Sequence, residues 1–270
     1  MAQPALKLRI RSTSYIIIPA RLASTRLPRK LLLRQTGKSL IRHTYEAALR
    51  AARPVGICVA TDHPEIFDEV RSFGGWVAMT DPQTPSGTDR VAQVARELRH
   101  VDIIVNLQGD EPDLSGESID LAIRLLEENP DAVMSTLATP IRSRRQLDDP
   151  ACVKVVFDHR GRALYFSRSP IPHARQWDDA LLLASPAHFY QHIGLYAYRR
   201  EFLLRLAEMP QSDLERIENL EQLRVLHAGH SILVGTVNEP TFGIDTPEDY
   251  QAFVARVLPA SCRCPRATPS

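Results

Sequence analysis

Charged side chains gather at three places along the chain where their type and spacing suit chemistry. The stretch 19–30 holds Arg21, Arg26, Arg29 and Lys30 together with the hydroxyls of Ser24 and Thr25. Arginine forks beside a lysine point charge suit a polyphosphate whose negative charge grows on a leaving group. In isolation the same stretch also reads as a solvated basic loop. Asp110 follows Gly109 at the end of an apolar run, and Asp245 stands far along the chain ahead of Thr246, Pro247, Glu248 and Asp249. Two carboxylates completed by phosphate oxygens and water are a usual environment for Mg²⁺. Taken alone, Asp245 reads equally well as the approach to a helix, because Thr246 can cap and the acids after it suit a first turn. Both roles hold if Thr246 caps while Asp245 binds the metal. Lysine is scarce, with Lys7, Lys30, Lys38 and Lys154 the whole set, which makes Lys30 easier to interpret.

These residues need a scaffold, and the hydrophobic pattern supplies one. Strands are expected over 15–18, 56–61, 76–79, 102–107 and 132–138, alternating with helices over 40–52, 64–73, 88–98 and 117–128. Apolar runs without clean alternation, separated by helices, predict a doubly wound α/β fold with a mainly parallel sheet covered on both faces. Ligands bind such sheets at the carboxyl ends of the strands, where the 19–30 loop and Asp110 both fall. After Pro140 the rhythm changes. Asp158, His159, Arg160 and Gly161 mark a hairpin between runs at 153–157 and 163–166. Further strands are expected over 192–198 and 232–237, with helices over 200–206, 214–227 and 247–257. The expected organisation is a single domain over 14–258 carrying a β-rich insertion at roughly 140–200. Tails are expected at 1–13 and 259–270.

Composition narrows the partners. The 270 residues carry 33 basic and 32 acidic side chains, a net charge of +1, so nothing calls for nucleic acid. No apolar run approaches the roughly 18 residues that span a bilayer, and the amino terminus lacks the apolar core of a secretory signal. No membrane insertion and a cytoplasmic location are the expectations. Cys58 and Cys152 sit in apolar runs as free thiols, while Cys262 and Cys264 form a lone C-x-C, a weak metal signal. There is no G-x-G-x-x-G, G-x-S-x-G or H-E-x-x-H. The segment Thr36, Gly37, Lys38, Ser39 imitates the end of a phosphate-binding P-loop, but Leu32 occupies the place of its earlier glycine. That segment is read as a helix start.

The ordered motifs I-P-A-R-x-x-S-T-R-L-P-x-K, S-G-T-D-R, V-N-L-Q-G-D-E-P, A-L-Y-F-S-R, H-I-G-L-Y, L-E-Q-L-R and G-I-D-T-P-E-D span nearly the whole chain. In this the sequence resembles the 3-deoxy-manno-octulosonate cytidylyltransferases. The resemblance implies a fold of the nucleotide-diphospho-sugar transferase type and a homodimer built partly from the β-rich insertion. It implies the reaction CTP + Kdo → CMP-Kdo + pyrophosphate with Mg²⁺, supplying Gram-negative lipopolysaccharide synthesis. It places Ala20, Arg21, Ser24, Thr25, Ser86, Gly87 and Arg90 at the nucleotide. Lys30, Arg26, Asp110 and Asp245 fall at the reacting centre, the two aspartates as Mg²⁺ ligands. Gln108, Arg168, His192, Tyr196, Glu221 and Gln222 would surround the sugar acid, with Arg168 meeting its carboxylate. One residue departs from the pattern: the family has glycine where this chain has Arg29. Glycine accepts a positive φ there and arginine does so poorly, so either the loop suits arginine or Arg29 adds a phosphate contact. Two alternatives stay open, a cytidylyltransferase for a sialic acid or an amino-substituted Kdo, and a catalytically silent nucleotide-binding protein.

Overall fold

A computed structural model describes residues 12–238 and 243–258. The expected tails, apart from Ser12 and Thr13, and the C-x-C lie outside the described residues. The sheet runs in the order β3 (Val77–Met79), β2 (Ile57–Thr61), β1 (Ser14–Ala20), β4 (Ile103–Leu107), β8 (Tyr190–Arg199), β5 (Met134–Pro140), β9 (Ile232–Thr236). All neighbours pair in parallel except β8, which runs antiparallel to both β4 and β5. The expected mainly parallel sheet is present, and the reversed strand of this row, β8, lies inside it, fifth of the seven. The stretch read as an insertion therefore contains a core strand. Only the hairpin β6 (Lys154–Phe157) and β7 (Ala163–Ser167) hangs off the sheet, attached through Lys154 opposite Gln191.

Both faces of the sheet are dry, which explains the strands' unbroken apolar runs. Ile16 and Ile18 pack to one side against α1 (Leu40–Ala48), α2 (Pro64–Ser72), α4 (Gly116–Glu128) and α9 (Pro247–Val257). Ile17, Ala60 and Ile104 pack to the other side, with α3 (Gly87–Glu97), α6 (Arg200–Leu206) and α8 (Gln222–His227). Each such side chain contributes about 1.5–3 kcal/mol by leaving water. The helices start where hydroxyls satisfy free amides. Ser39, Ser86, Ser115 and Thr246 accept from the backbone N–H groups of Arg42, Asp89, Ser118 and Asp249. The Thr36–Ser39 segment is thus a helix start, as its sequence reads.

The helix expected over 214–227 is two helices, α7 (Asp213–Glu218) and α8, with a break between them. Asn219 takes the left-handed conformation (φ 52°) at the end of α7. Asparagine visits that region more readily than most residues, so the periodic pattern continues through a break it does not reveal. β5 and β8 lose register between Thr136 and Leu137: Thr136 faces Tyr196, but Leu137 faces Ile193, so Gly194 and Leu195 bulge out of this ladder.

Candidate active site

The carboxyl ends of β1 and β4 open onto two adjoining cavities. The smaller, about 200 Å³, is lined by Arg21, Lys30, Gly87, Gln108 and Asp110. The larger cleft, about 920 Å³, has His192, Gly194 and Tyr196 of β8 on its floor, with Gln222 beside them. Arg26 and Asp245 also line it.

Buried Leu27 anchors the loop after β1. Arg21 donates to the Thr84 carbonyl at 2.6 Å, tying the loop to the approach to α3. Arg29 adopts the left-handed region (φ 56°, ψ 27°) that a glycine would take without strain. Its guanidinium pairs with Glu65 in the first turn of α2. The loop keeps the glycine-like turn, and the arginine side chain is directed at the helix. A short 3₁₀ turn, Lys30–Leu32, follows directly and carries the key cation.

Lys30 Nζ donates to Asp110, to Asp245 Oδ1 at 2.9 Å and to the Ile244 carbonyl at 3.0 Å. Burial alone would pull its pKa down, but Asp110 and Asp245 outweigh this and raise it, so the amine stays charged. Asp245 also accepts from Arg26 at 2.9 Å. Burial opposes its ionisation, yet Lys30 and then Arg26 hold its pKa below the usual range. The adjoining Thr246 and Asp249 form a capping box, so the residues beside Asp245 do cap α9.

Sequence reasoning missed Glu111. Its Oε2 is buried with no hydrogen-bond partner among the described residues. Burial first, then Asp110, Asp113 and Asp245, push its pKa up to about 8. A second acid immediately after Asp110 was the available signal. At pH 7 Glu111 is therefore mostly neutral, and the two remaining carboxylates, Asp110 and Asp245, face Lys30 and Arg26.

Of the predicted residues, Gly87, Gln108, His192, Tyr196 and Gln222 line these cavities, whereas Ala20, Ser24, Thr25 and Ser86 line neither. Ala20 ends buried β1, Ser24 and Thr25 lie in the loop beyond it, and Gly87 opens α3 at the smaller cavity, just after its cap Ser86. Gln108 donates to Asn106 Oδ1 at 3.1 Å. His192 approaches Thr136 Oγ1 at 2.9 Å, and burial lowers its pKa to about 3, so the ring is neutral. The Tyr196 hydroxyl donates to Gln222 Oε1 at 3.3 Å.

Three other residues lie apart from the two cavities. Arg90 is fully buried on the inner face of α3, paired with Asp62 and Thr80. Glu221 accepts from the Thr88 hydroxyl and joins α8 to α3. Arg168 donates to the carbonyls of Glu218 at 2.7 Å, Pro150 at 3.1 Å and Asn219 at 3.3 Å, the last two next in sequence to the cleft-lining Ala151 and Leu220. Cys152 lines the larger cleft as a buried free thiol.

A doubly wound sheet with a cation-bearing loop at its switch point defines a nucleotidyltransferase of the nucleotide-diphospho-sugar transferase type. The family profile described as Cytidylyltransferase matches residues 15–232. A 3-deoxy-manno-octulosonate cytidylyltransferase of Rhodopirellula baltica is 49% identical over 90% of this chain and 97% of its own length. An 8-amino-3,8-dideoxy-manno-octulosonate cytidylyltransferase of Shewanella woodyi is 44% identical over 90% of this chain and 97% of its own. A solved CMP:2-keto-3-deoxy-manno-octonic acid synthetase complexed with CTP superposes with a TM-score of 0.83 at 40% identity, covering 91% of this chain and 98% of that one. The chain belongs to the 3-deoxy-manno-octulosonate cytidylyltransferase family.

Proposed function

We propose that this enzyme joins CTP to 3-deoxy-manno-octulosonate (Kdo), forming CMP-Kdo and pyrophosphate for lipopolysaccharide synthesis in the cytoplasm. Lys30, fixed between Asp110 and Asp245 at the junction of the two cavities, carries this reading. The triphosphate lies along the 19–30 loop and the start of α3, and the sugar acid lies in the larger cleft. The anomeric 2-hydroxyl attacks the α-phosphorus. The new O–P bond forms as the bond to the β-phosphate oxygen breaks, and the hydroxyl proton is released. Lys30 and Arg26 stabilise charge on the phosphates, and the protein otherwise acts by positioning.

Asp110 and Asp245 fit a Mg²⁺ ion, because both reach the Lys30 ammonium and thus converge on one small volume. Among the described residues no group of three or more His, Cys, Asp or Glu side chains could hold a metal. When bound, the ion supplies phosphate neutralisation and a Lewis acid for the attacking hydroxyl.

The sugar side rests on Gln108, His192, Tyr196 and Gln222, braced by Arg168 and Glu221. The Shewanella relative's name motivates a second reading, an 8-amino sugar acid as substrate. A homodimer is part of the proposal. Exposed Leu164 on β7, Ile217 on α7 and Leu183 supply apolar surface for it. No described helix is long and apolar enough to cross a membrane.

The deciding experiment measures pyrophosphate release with CTP, Mg²⁺ and Kdo, its 8-amino analogue or a sialic acid in turn. Release with Kdo, abolished by EDTA and by Asp110→Ala in a folded protein, is the expected result. Release with only one of the other sugars moves the substrate assignment. CTP binding without release from any sugar supports a silent protein.

A further inference from the structure

The β5–β8 bulge is held by a single hydroxyl. Thr136 Oγ1 lies 2.8 Å from the Leu195 carbonyl and 3.1 Å from the Ile193 carbonyl, the two groups that flank Gly194. The same oxygen lies 2.9 Å from His192 Nε2. A hydroxyl has one proton and two lone pairs. With the proton directed to the carbonyls, the contact with His192 is made only if Nε2 carries hydrogen. Burial keeps the ring neutral, so its Nδ1 is a bare acceptor. On the far side of Tyr196 the complement is present. Tyr196 donates to Gln222 Oε1, which leaves the buried Gln222 Nε2 as a donor with no partner among the described residues.

We propose that Thr136 is a positioning residue that fixes the Nε2–H tautomer of His192, so that the cleft offers an Nδ1 acceptor and a Gln222 Nε2 donor to neutral hydroxyls of the substrate. The polarity is set within the sheet before any ligand arrives. A hydroxyl donates and accepts, and satisfies either group. An ammonium only donates, so it can satisfy His192 Nδ1 but leaves the Gln222 N–H without an acceptor. This rests on the reading that a polyhydroxylated sugar acid fills the larger cleft.

Nitrogen NMR of the ¹⁵N-histidine-labelled, ligand-free full chain tests the tautomer without any substrate. The His192 signal is identified by its loss in His192→Gln. The expected signature is a protonated Nε2 and an unprotonated Nδ1, and the reverse pattern overturns the proposal. Thr136→Val should weaken or invert that signature and raise KM for the sugar acid about tenfold, equivalent to one lost hydrogen bond of about 1.4 kcal/mol, with KM for CTP within about twofold. Thr136→Ser should restore both. A folded Thr136→Val protein with unchanged tautomer and sugar KM overturns the positioning role. If Thr136→Val does not fold, the wild-type spectrum and Thr136→Ser still decide. Failure of every sugar to release pyrophosphate sinks the substrate reading and leaves the tautomer result standing.

Discussion

The Lys30 ammonium lies 2.9 Å from the Asp245 carboxylate across 215 residues of sequence, and it contacts Asp110 as well. One cation thus joins the loop after β1, the end of β4 and the approach to α9. Lys30→Met removes the charge while keeping much of the side chain's length. Pyrophosphate release should fall by about 10²–10³-fold, the scale for losing one charge-stabilising donor. The Asp245 carboxyl should also titrate at higher pH, because its principal stabilising partner is gone. A folded Lys30→Met enzyme with near-normal turnover would remove Lys30 from the reacting centre.

Arg29 combines a left-handed backbone with a pair to Glu65 in which both side chains are about half exposed, 54% and 46%. Such exposed pairs add little to stability, less than the strain of a side chain in this backbone region. Arg29→Gly should therefore be at least as stable as the parent. Arg29→Ala loses the pair and keeps the strain, and should be about 1 kcal/mol less stable than Arg29→Gly. Chemical denaturation of the three proteins decides this. Equal stability of the glycine and alanine variants would argue against the left-handed turn.

His192 titrates at about 3 when folded and near 6.5 when unfolded. Between those values the unfolded chain binds a proton that the native ring refuses, so stability rises with pH and is lost as pH falls below about 6.5. The slope from this group approaches about 1.4 kcal/mol per pH unit. Unfolding measured at pH 7 and pH 5 should show a smaller acid loss in His192→Gln than in the parent. An equal loss in both would show that the ring is not buried neutral.

The Arg168 guanidinium donates to three backbone carbonyls. Arg168→Met should lower the unfolding free energy by about 2 kcal/mol, since hydrogen bonds made by charged groups contribute more than neutral ones. KM for CTP should stay put. A large rise in sugar KM with unchanged stability would instead show that the guanidinium meets the ligand carboxylate itself.

The parallel half of the fold was legible because β1, β2 and β4 are buried on both faces and spell continuous apolar runs. Lys30, Asp110 and Asp245 were legible because their types suit charge neutralisation at places where a sheet exposes loops. What escaped depends on partners distant in sequence. Nothing local tells that β8 enters the sheet reversed, or that Arg90 turns inward to Asp62. Asn219 breaks a helix without interrupting its periodic pattern. The role of Glu111 comes from burial, which its polar neighbours in sequence hide. Arg29 posed a choice between a changed loop and an added phosphate contact. Its turn is the one glycine would make, and its side chain reaches α2.

The interior position of β8 also bears on how the chain acquires its shape. Asn106 pairs with Tyr196 on one side of this strand, and Met134 with Tyr198 on the other. Neither ladder can close until nearly three quarters of the chain is available, and such sequence-distant pairings carry a large loop-closure entropy. Nucleation is therefore expected among the early β–α units, where contacts are local. The strand that joins the two halves docks late, and the wall bearing His192 and Tyr196 forms with it. The loop that bears Lys30 is completed later still, because its partners Ile244 and Asp245 follow β8 in the chain.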